Sequence, residues 1–94
     1  MYTCGIDVGS VSTEVVILGR KDNKIASYII TSTGSNSKEA AKKALDNACK
    51  KDNISGDSIK AIVATGYGRI NIPFADQILK KIHIYKIIYK QIRF

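Results

Sequence analysis

The sequence lacks the features of several large classes of protein. It has no tryptophan, one proline and two cysteines, Cys4 and Cys49, which lie far apart in the chain. Cysteines at that spacing form neither a disulfide framework nor a metal knuckle, so we expect free, buried thiols. No run of about 18 apolar residues occurs, which argues against a membrane-spanning helix. Residues 1–7 lack the charged and apolar regions of a signal peptide, and we therefore expect a cytoplasmic protein.

The charge is concentrated at one end of the chain. The 94 residues suit a single domain, and 45% apolar with 24% charged residues is an ordinary globular composition. Of the 15 basic and 8 acidic residues, residues 78–94 hold five basic residues and no acidic one. This segment is also rich in isoleucine and has no glycine, alanine, serine or threonine. We place a composition boundary after Gln77, which divides the chain into residues 1–77 and a basic tail, residues 78–94.

The hydrophobic pattern predicts an α/β fold. Apolar and β-branched runs predict strands over residues 2–8, 13–18, 25–31 and 59–65. Between the last two, Asn36 followed by Glu39 is typical of a helix N-terminus, and an alanine-rich stripe follows at helical spacing. Pro73 predicts a further short helix through Ile78. The predicted order is β-β-β-α-β-(α) in a mixed sheet, because a helical crossover normally returns the chain to a parallel strand.

The first candidate site is the turn after the first strand. Glycine and small hydroxyl residues allow backbone N–H groups to converge on a phosphate, and Asp7 at the strand end can hold Mg²⁺ through water. The candidate phosphate-binding residues of this turn are Gly9, Ser10, Val11, Ser12 and Thr13. On spacing alone, an ordinary hairpin turn with a hydrophilic edge explains these residues equally well.

The second candidate site follows the fourth strand and consists of Gly66, Tyr67, Gly68 and Arg69. Two glycines allow backbone to approach a ligand, and an arginine can pair with phosphate. Taken alone, a glycine-rich strand exit with a solvated Arg69 is the better explanation. If the first and fourth strands are parallel neighbours, however, both turns open on the same edge of the sheet and one anionic ligand can contact both.

At this point the residues resemble a known family. Its motifs are similar to residues 5–14, 33–34, 64–69 and 72–76 of this chain. The sequence resembles the ATP-hydrolysing activators of 2-hydroxyacyl-CoA dehydratases and the related ATPase subunits of benzoyl-CoA reductase. The first motif alone suggests only the wider superfamily of acetate kinases, sugar kinases, Hsp70 and actin, whereas the later motifs are more specific. The resemblance covers residues 1–77.

The resemblance implies a fold and a chemistry. The fold would be the N-terminal subdomain of an actin-like, ribonuclease H-like ATPase. Asp7 would be catalytic and serve Mg²⁺, residues 9–13 would be the first phosphate loop, and residues 66–69 would border the nucleotide cleft. Members of the family are homodimers with a [4Fe-4S] cluster at the interface, and ATP hydrolysis drives a low-potential electron into the dehydratase. The cluster ligands would lie beyond this chain, so we expect little or no ATPase activity from it alone.

The chain also departs from the family pattern. Some members have lysine where this chain has Glu14, and the tail replaces the polar continuation of the family. The tail could be the product of a frameshift or truncation, or a recombinant end; we take a frameshift near Gln77 as the hypothesis, because AT-rich DNA read out of frame gives Ile, Lys, Tyr and Phe. Translation of the other two downstream frames tests this, and finding no glycine-rich sequence with spaced cysteines there would refute it.

Two other functions stay open from the sequence. The tail can form a basic amphipathic helix, so the chain is alternatively a small module that binds nucleic acid or an anionic membrane. We favour a simpler role, in which the tail covers apolar surface. The other alternative is a fragment of a sugar or acetate kinase.

Overall fold

The computed structural model describes residues 1–22, 24–66, 73–74 and 77–78, with residues 77 and 78 described by their backbone alone. In chain order the elements are β1 (Tyr2–Val8), β2 (Ser12–Gly19), β3 (Ile25–Ser32), α1 (Ser37–Lys51), a 3-10 turn (Gly56–Ser58), β4 (Ile59–Thr65) and β5 (Gln77–Ile78). The sheet has the strand order β3-β2-β1-β4-β5. The predicted mixed α/β sheet is therefore confirmed, and the predicted tail beyond Ile78 lies outside the described residues.

The connections between the strands follow the predicted pattern. Hairpins join β1 to β2 and β2 to β3 in antiparallel pairs. Helix α1 then returns the chain to β4, which pairs parallel with β1. Strand β1 is consequently hydrogen-bonded on both of its edges, and the loops that follow β1 and β4 emerge at the same end of the sheet.

The prediction of a short helix from Pro73 through Ile78 is wrong at its C-terminal end. Residues 73–74 form a turn, and β5 is a two-residue strand parallel to β4. The register places Gln77 opposite Val63 and Ile78 opposite Ala64. The edge of β4 offers backbone hydrogen-bonding groups to this segment, and that pairing outweighs the local preference for a helix.

Helix α1 begins and packs as its sequence predicts. The Asn36 side chain accepts a hydrogen bond from the Glu39 N–H at 3.1 Å, which satisfies one of the first-turn amides. The helix buries only alanines: Ala40, Ala41, Ala44 and Ala48. Because alanine is small, the helix axis can lie close to the sheet. Ser27 Oγ donates to the Ala48 carbonyl at 2.9 Å and ties the helix to β3.

The sheet has two different faces. The face that contacts α1 carries the larger apolar cluster, with Ile6 and Val8 of β1, Val15 and Ile17 of β2, and Ala64 of β4. Side chains alternate along a strand, so the intervening residues point to the opposite face. That face carries a smaller apolar cluster around Val16 and Leu18 and, toward the C-terminal end of β1, polar side chains. Within the described part of the chain, no helix has the length and hydropathy needed to cross a membrane.

Candidate functional site

Two parallel strands bring Asp7 and Thr65 side by side. The two residues are register partners at the ends of β1 and β4. Each follows a residue that packs against α1, Ile6 and Ala64 respectively, so both side chains lie on the opposite face of the sheet. Asp7 is 5% exposed and Thr65 is fully buried. The expectation that the first and fourth strands are parallel neighbours is thus confirmed.

Gly66 closes this end of the sheet with a conformation that favours glycine. Its φ is +91°, in the left-handed region. A Cβ built on Gly66 would lie 2.6 Å from Asp7 Oδ1 and would also collide with the Val8 backbone. The exit of β4 therefore lies directly against the Asp7 carboxylate. The other predicted residues of this turn, Tyr67, Gly68 and Arg69, lie outside the described residues.

The turn after β1 is shaped by the end of β3. The Gly9 N–H donates to the Ser12 carbonyl at 2.9 Å, which closes the turn. The Gly9 carbonyl accepts from Thr33 Oγ1 at 2.8 Å, and the Val11 carbonyl accepts from the Thr33 N–H at 2.9 Å. Both carbonyls therefore face Thr33, and the tip of the turn, Ser10 and Val11, is exposed.

The Thr13 hydroxyl contacts the Thr33 hydroxyl that binds the turn. Thr13 Oγ1 and Thr33 Oγ1 lie 2.8 Å apart, and both residues are buried. Thr13 precedes Glu14 on β2 and belongs to the face that packs against α1, since Val15 and Ile17 do. The buried Thr13 hydroxyl therefore contacts Thr33 and not the open side of the turn. It is the one predicted loop residue whose side chain lies away from the solvent-exposed tip.

Glu14 adds a second carboxylate to the face that carries Asp7. The two residues are register partners across β1 and β2. Tyr28 Oη donates a hydrogen bond to Glu14 Oε2 at 3.0 Å. Partial burial raises the pKa of Tyr28, and the hydrogen bond and negative charge of Glu14 raise that pKa further. The contacts of Tyr28 with Glu14 and of Thr33 with the turn were not predicted, because only the pairing of β2 with β3 brings these residues together.

The donor atoms at the end of β1 and β4 fit a hard divalent cation. Mg²⁺ takes oxygen ligands and keeps several of its waters. The Asp7 carboxylate and the Thr65 hydroxyl supply oxygen atoms on one face, and Thr65 Oγ1 has no hydrogen-bond partner among the described residues. A buried hydroxyl in that condition is costly unless a ligand or water completes it. These two residues would hold Mg²⁺ through its water shell.

The described cysteines do not fit an iron–sulfur cluster. Cys4 is buried in the main apolar cluster, and burial, with the nearby Cys49 adding to it, raises the pKa of Cys4 to about 12. Burial, and then Asp46, also raises the pKa of Cys49. Cys4 lies on β1 and Cys49 on α1, in or against the main apolar cluster, and these two thiols fall short of the four ligands that an iron–sulfur cluster needs. The part of the chain that the structure describes also holds no group of three metal-ligating side chains.

Comparisons with known proteins agree on one family. The sequence profile described as the BadF/BadG/BcrA/BcrD ATPase family matches residues 4–89, a match that extends past the composition boundary after Gln77. The chain is 42% identical over 83 residues to the activator of lactoyl-CoA dehydratase of Anaerotignum propionicum. That alignment covers 87% of this chain and 31% of the relative. The chain thus spans about a third of the length of this curated relative.

Solved structures show the same likeness. The activator of the 2-hydroxyisocaproyl-CoA dehydratase from Clostridium difficile, with bound ADPNP, matches with a TM-score of 0.78 and 32% identity, over 87% of this chain and 30% of that one. Component A of the (R)-2-hydroxyglutaryl-CoA dehydratase of Acidaminococcus fermentans matches with a TM-score of 0.81 and 22% identity, over 96% and 36%. The second likeness shows the fold alone. The mixed sheet with its single described helix is that of an actin-like ATPase.

Proposed function

Because the chain belongs to the BadF/BadG/BcrA/BcrD ATPase family, we propose that it forms the phosphate- and Mg²⁺-binding part of an ATP-dependent activator of a 2-hydroxyacyl-CoA dehydratase. The observation that carries the proposal is that the turn after β1 and Gly66, the first residue after β4, lie together at one end of the sheet. Asp7 and the turn that follows it lie beside the exit of β4, where Gly66 contacts the Asp7 carboxylate. Ligands in sheets of this kind collect at the carboxyl ends of parallel strands.

The turn after β1 supplies the groups that recognise phosphate. The turn offers the backbone N–H groups and hydroxyls of Ser10, which is exposed, and of Ser12, which is half-buried at the start of β2. Backbone N–H groups that converge in a turn bind anions without a charged side chain. The side chain of Val11, 79% exposed, takes no part in this recognition. Phosphate oxygens would be bound by residues 9–12, with the buried Thr13 supporting the turn from below.

Asp7 would serve the cation that accompanies the nucleotide. Its carboxylate lies on the same face as the Thr65 hydroxyl, and a Mg²⁺ ion held by these two residues would neutralise part of the charge of the phosphates. The chain's own part is to hold the carboxylate in place, which the pairing of β1 with both β2 and β4 does. Residues 67–69 would complete the border of the nucleotide cleft.

The family's activity sets the wider proposal. ATP hydrolysis would drive the delivery of a low-potential electron to a 2-hydroxyacyl-CoA dehydratase, as the resemblance of residues 1–77 implies. No electron-transfer step is assigned to the described residues, because Cys4 and Cys49 do not fit as cluster ligands. Catalysis also needs groups that converge on ATP from both sides of a cleft and exclude water. The 94-residue chain spans about a third of the length of its curated relative. We therefore propose that this chain alone binds ATP weakly and hydrolyses it slowly or not at all.

Titration of the ¹⁵N-labelled 94-residue chain with Mg-ATP tests this function. We expect amide chemical shifts to change at Ser10, Ser12 and Gly66, with a dissociation constant on the order of 1 mM. Absence of shifts in this turn would refute the phosphate site. A micromolar dissociation constant would refute the claim that the chain carries only part of the cleft.

A pair of matched variants tests the role of Asp7. D7N keeps the shape of the side chain and removes its charge, so we expect the Mg²⁺ dependence of ATP binding to disappear. D57N makes the same change at an exposed residue of the 3-10 turn and should leave that dependence intact. Equal Mg²⁺ dependence in D7N and the unchanged chain would exclude Asp7 from the cation site.

A further inference from the structure

Thr33 makes three hydrogen bonds at the turn after β1. Its N–H donates to the Val11 carbonyl at 2.9 Å, and its hydroxyl donates to the Gly9 carbonyl at 2.8 Å. The same hydroxyl lies 2.8 Å from Thr13 Oγ1, which can donate to it. Thr33 is 8% exposed and lies just past the end of β3, so the turn is fixed from outside its own hairpin.

The Thr33 hydroxyl takes the place of the backbone N–H that normally donates to the first carbonyl of a turn of this length. In a tight four-residue turn, the first carbonyl accepts from the fourth N–H. Here the Gly9 carbonyl accepts from Thr33 Oγ1, and no bond from the Ser12 N–H to the Gly9 carbonyl is formed among the described residues. The Thr33 hydroxyl therefore occupies the Gly9 carbonyl, and the turn is closed only by the bond from the Gly9 N–H to the Ser12 carbonyl.

The direction of the freed N–H groups follows from peptide geometry. In a trans peptide the C=O of one residue and the N–H of the next point in opposite directions, and the described residues contain no cis peptide bond. The Gly9 carbonyl points to the Thr33 hydroxyl, so the Ser10 N–H points away from it. The Val11 carbonyl points to the Thr33 N–H, so the Ser12 N–H points back toward the end of β1.

The Ser10 N–H faces the side of the sheet that carries Asp7, whereas the Ser12 N–H lies along the sheet toward β1. Thr33 Oγ1 contacts the buried Thr13 hydroxyl, which lies on the face packed against α1. Asp7 lies on the opposite face, because it alternates with Ile6 and Val8 of the apolar cluster. An N–H turned away from the Thr33 hydroxyl is consequently turned toward the face on which Mg²⁺ and the phosphates are proposed to bind.

We propose that Thr33 is the positioning residue of the phosphate-binding turn. By holding the Gly9 carbonyl, the Thr33 hydroxyl aims the Ser10 N–H at the phosphates of the nucleotide. Thr33 acts through these groups and does not touch the nucleotide. The inference rests on the proposed function, since it assigns a role within the same site.

Three substitutions separate the hydroxyl from the rest of the side chain. T33V keeps the shape and the backbone N–H but removes the oxygen that binds the Gly9 carbonyl, whereas T33S keeps that oxygen. T3V makes the same Thr-to-Val exchange at the other end of β1, where no hydrogen bond of the side chain is described. If T33V fails to fold, T33A removes the hydroxyl with less volume.

The first readout is binding of Mg-ATP to the 94-residue chain, followed by the Ser10 and Ser12 amide shifts. We expect T33V to weaken binding roughly fivefold to tenfold, the loss typical of one positioning hydrogen bond. T33S should stay within about twofold of the unchanged chain, and T3V should not differ from it. T33V with unchanged affinity, or T33S as weak as T33V, would overturn the assignment.

The second readout needs no nucleotide. Residual dipolar couplings report the direction of the Ser10 and Ser12 N–H bonds, and we expect the Ser10 coupling to change in T33V but not in T33S or T3V. Unchanged couplings in T33V would overturn the inference even if the chain binds ATP. Changed couplings in a chain that never binds ATP would instead overturn the proposed function.

Discussion

Gly66 and Asp7 are in contact across the ends of two parallel strands, with no room for a side chain between them. A Cβ at Gly66 would lie 2.6 Å from Asp7 Oδ1, and the φ of Gly66 is +91°. The glycine therefore has two separate reasons to be glycine: its backbone conformation and its distance from the carboxylate. The short distance places the exit of β4 at the site proposed for Mg²⁺.

Substitution G66A should destabilise the chain by about 1–3 kcal/mol from the left-handed backbone alone, and the collision with Val8 and Asp7 should add to this loss. Urea unfolding measures the effect. G56A is the control, because Gly56 has no atom within 4 Å of a built Cβ. It should change the free energy of unfolding by no more than about 0.5 kcal/mol. Equal losses in the two variants would show that Gly66 has no special environment.

Substitution A44L tests how closely α1 lies against the sheet. Ala44 is fully buried in the main apolar cluster, so a larger side chain must displace the helix or its neighbours. We expect a loss of about 1–3 kcal/mol in the free energy of unfolding. N47L adds a comparable apolar side chain on the exposed side of α1 and should have little effect. A stability gain in A44L would mean that the helix stands farther from the sheet.

Substitution N36A removes the side chain that caps α1. The Asn36 side chain accepts from the Glu39 N–H at 3.1 Å, and loss of such a cap costs about 1 kcal/mol. Thermal unfolding followed by circular dichroism measures the loss. N47A makes the same exchange at an exposed position within the helix, where alanine has the higher helix propensity, so it should be neutral or stabilising. If N36A and N47A behave alike, Asn36 does not act as a cap.

The buried thiol of Cys4 predicts a loss of stability at high pH. Burial raises the pKa of Cys4 from 9.0 to about 12, so the folded chain retains a proton that the unfolded chain releases. The resulting contribution to stability is complete below pH 9 and decreases as the pH rises from there toward 12. The raised pKa values of Cys49 and Tyr28 act in the same direction.

Urea unfolding at a series of pH values, compared between C4A and the unchanged chain, isolates the share of Cys4. We expect the decrease above pH 9 to be shallower in C4A. C49A is the comparison, because Cys49 is partly exposed and should contribute less to the slope. Parallel pH profiles for C4A and the unchanged chain would show that the thiol ionises as easily when folded as when unfolded.

Local signals in the sequence were enough for most of the fold. The predicted strand over residues 59–65 coincides with β4, and the cap at Asn36 is confirmed. The error at Gln77 and Ile78 has a physical cause. Proline permits a helix, but the open edge of β4 offered a partner that no local pattern reveals. The boundary after Gln77 and the origin of the tail stay predictions.

The site was predictable only where its residues are neighbours in the chain. The turn after Asp7 was identified from its glycine and hydroxyl residues, and the parallel pairing of β1 with β4 was inferred from the crossover helix. Thr33 was noticed only as part of a resemblance, because its contacts with Gly9 and Val11 depend on the register of β3 against β2. Thr65 likewise belonged only to a motif, at residues 64–69, because the strand register is what places its hydroxyl beside Asp7.

The sheet topology also implies an order of assembly. The meander of β1, β2 and β3 pairs residues that are close in sequence, whereas β4 must close a long loop across α1 before it can meet β1. Loop closure of that length slows folding, so the meander has the kinetic advantage. The hydrogen bonds from Thr33 to the turn would then form early in folding, and the contact between Gly66 and Asp7 would form last. The turn proposed to bind phosphate would then form before Thr65 is brought beside Asp7.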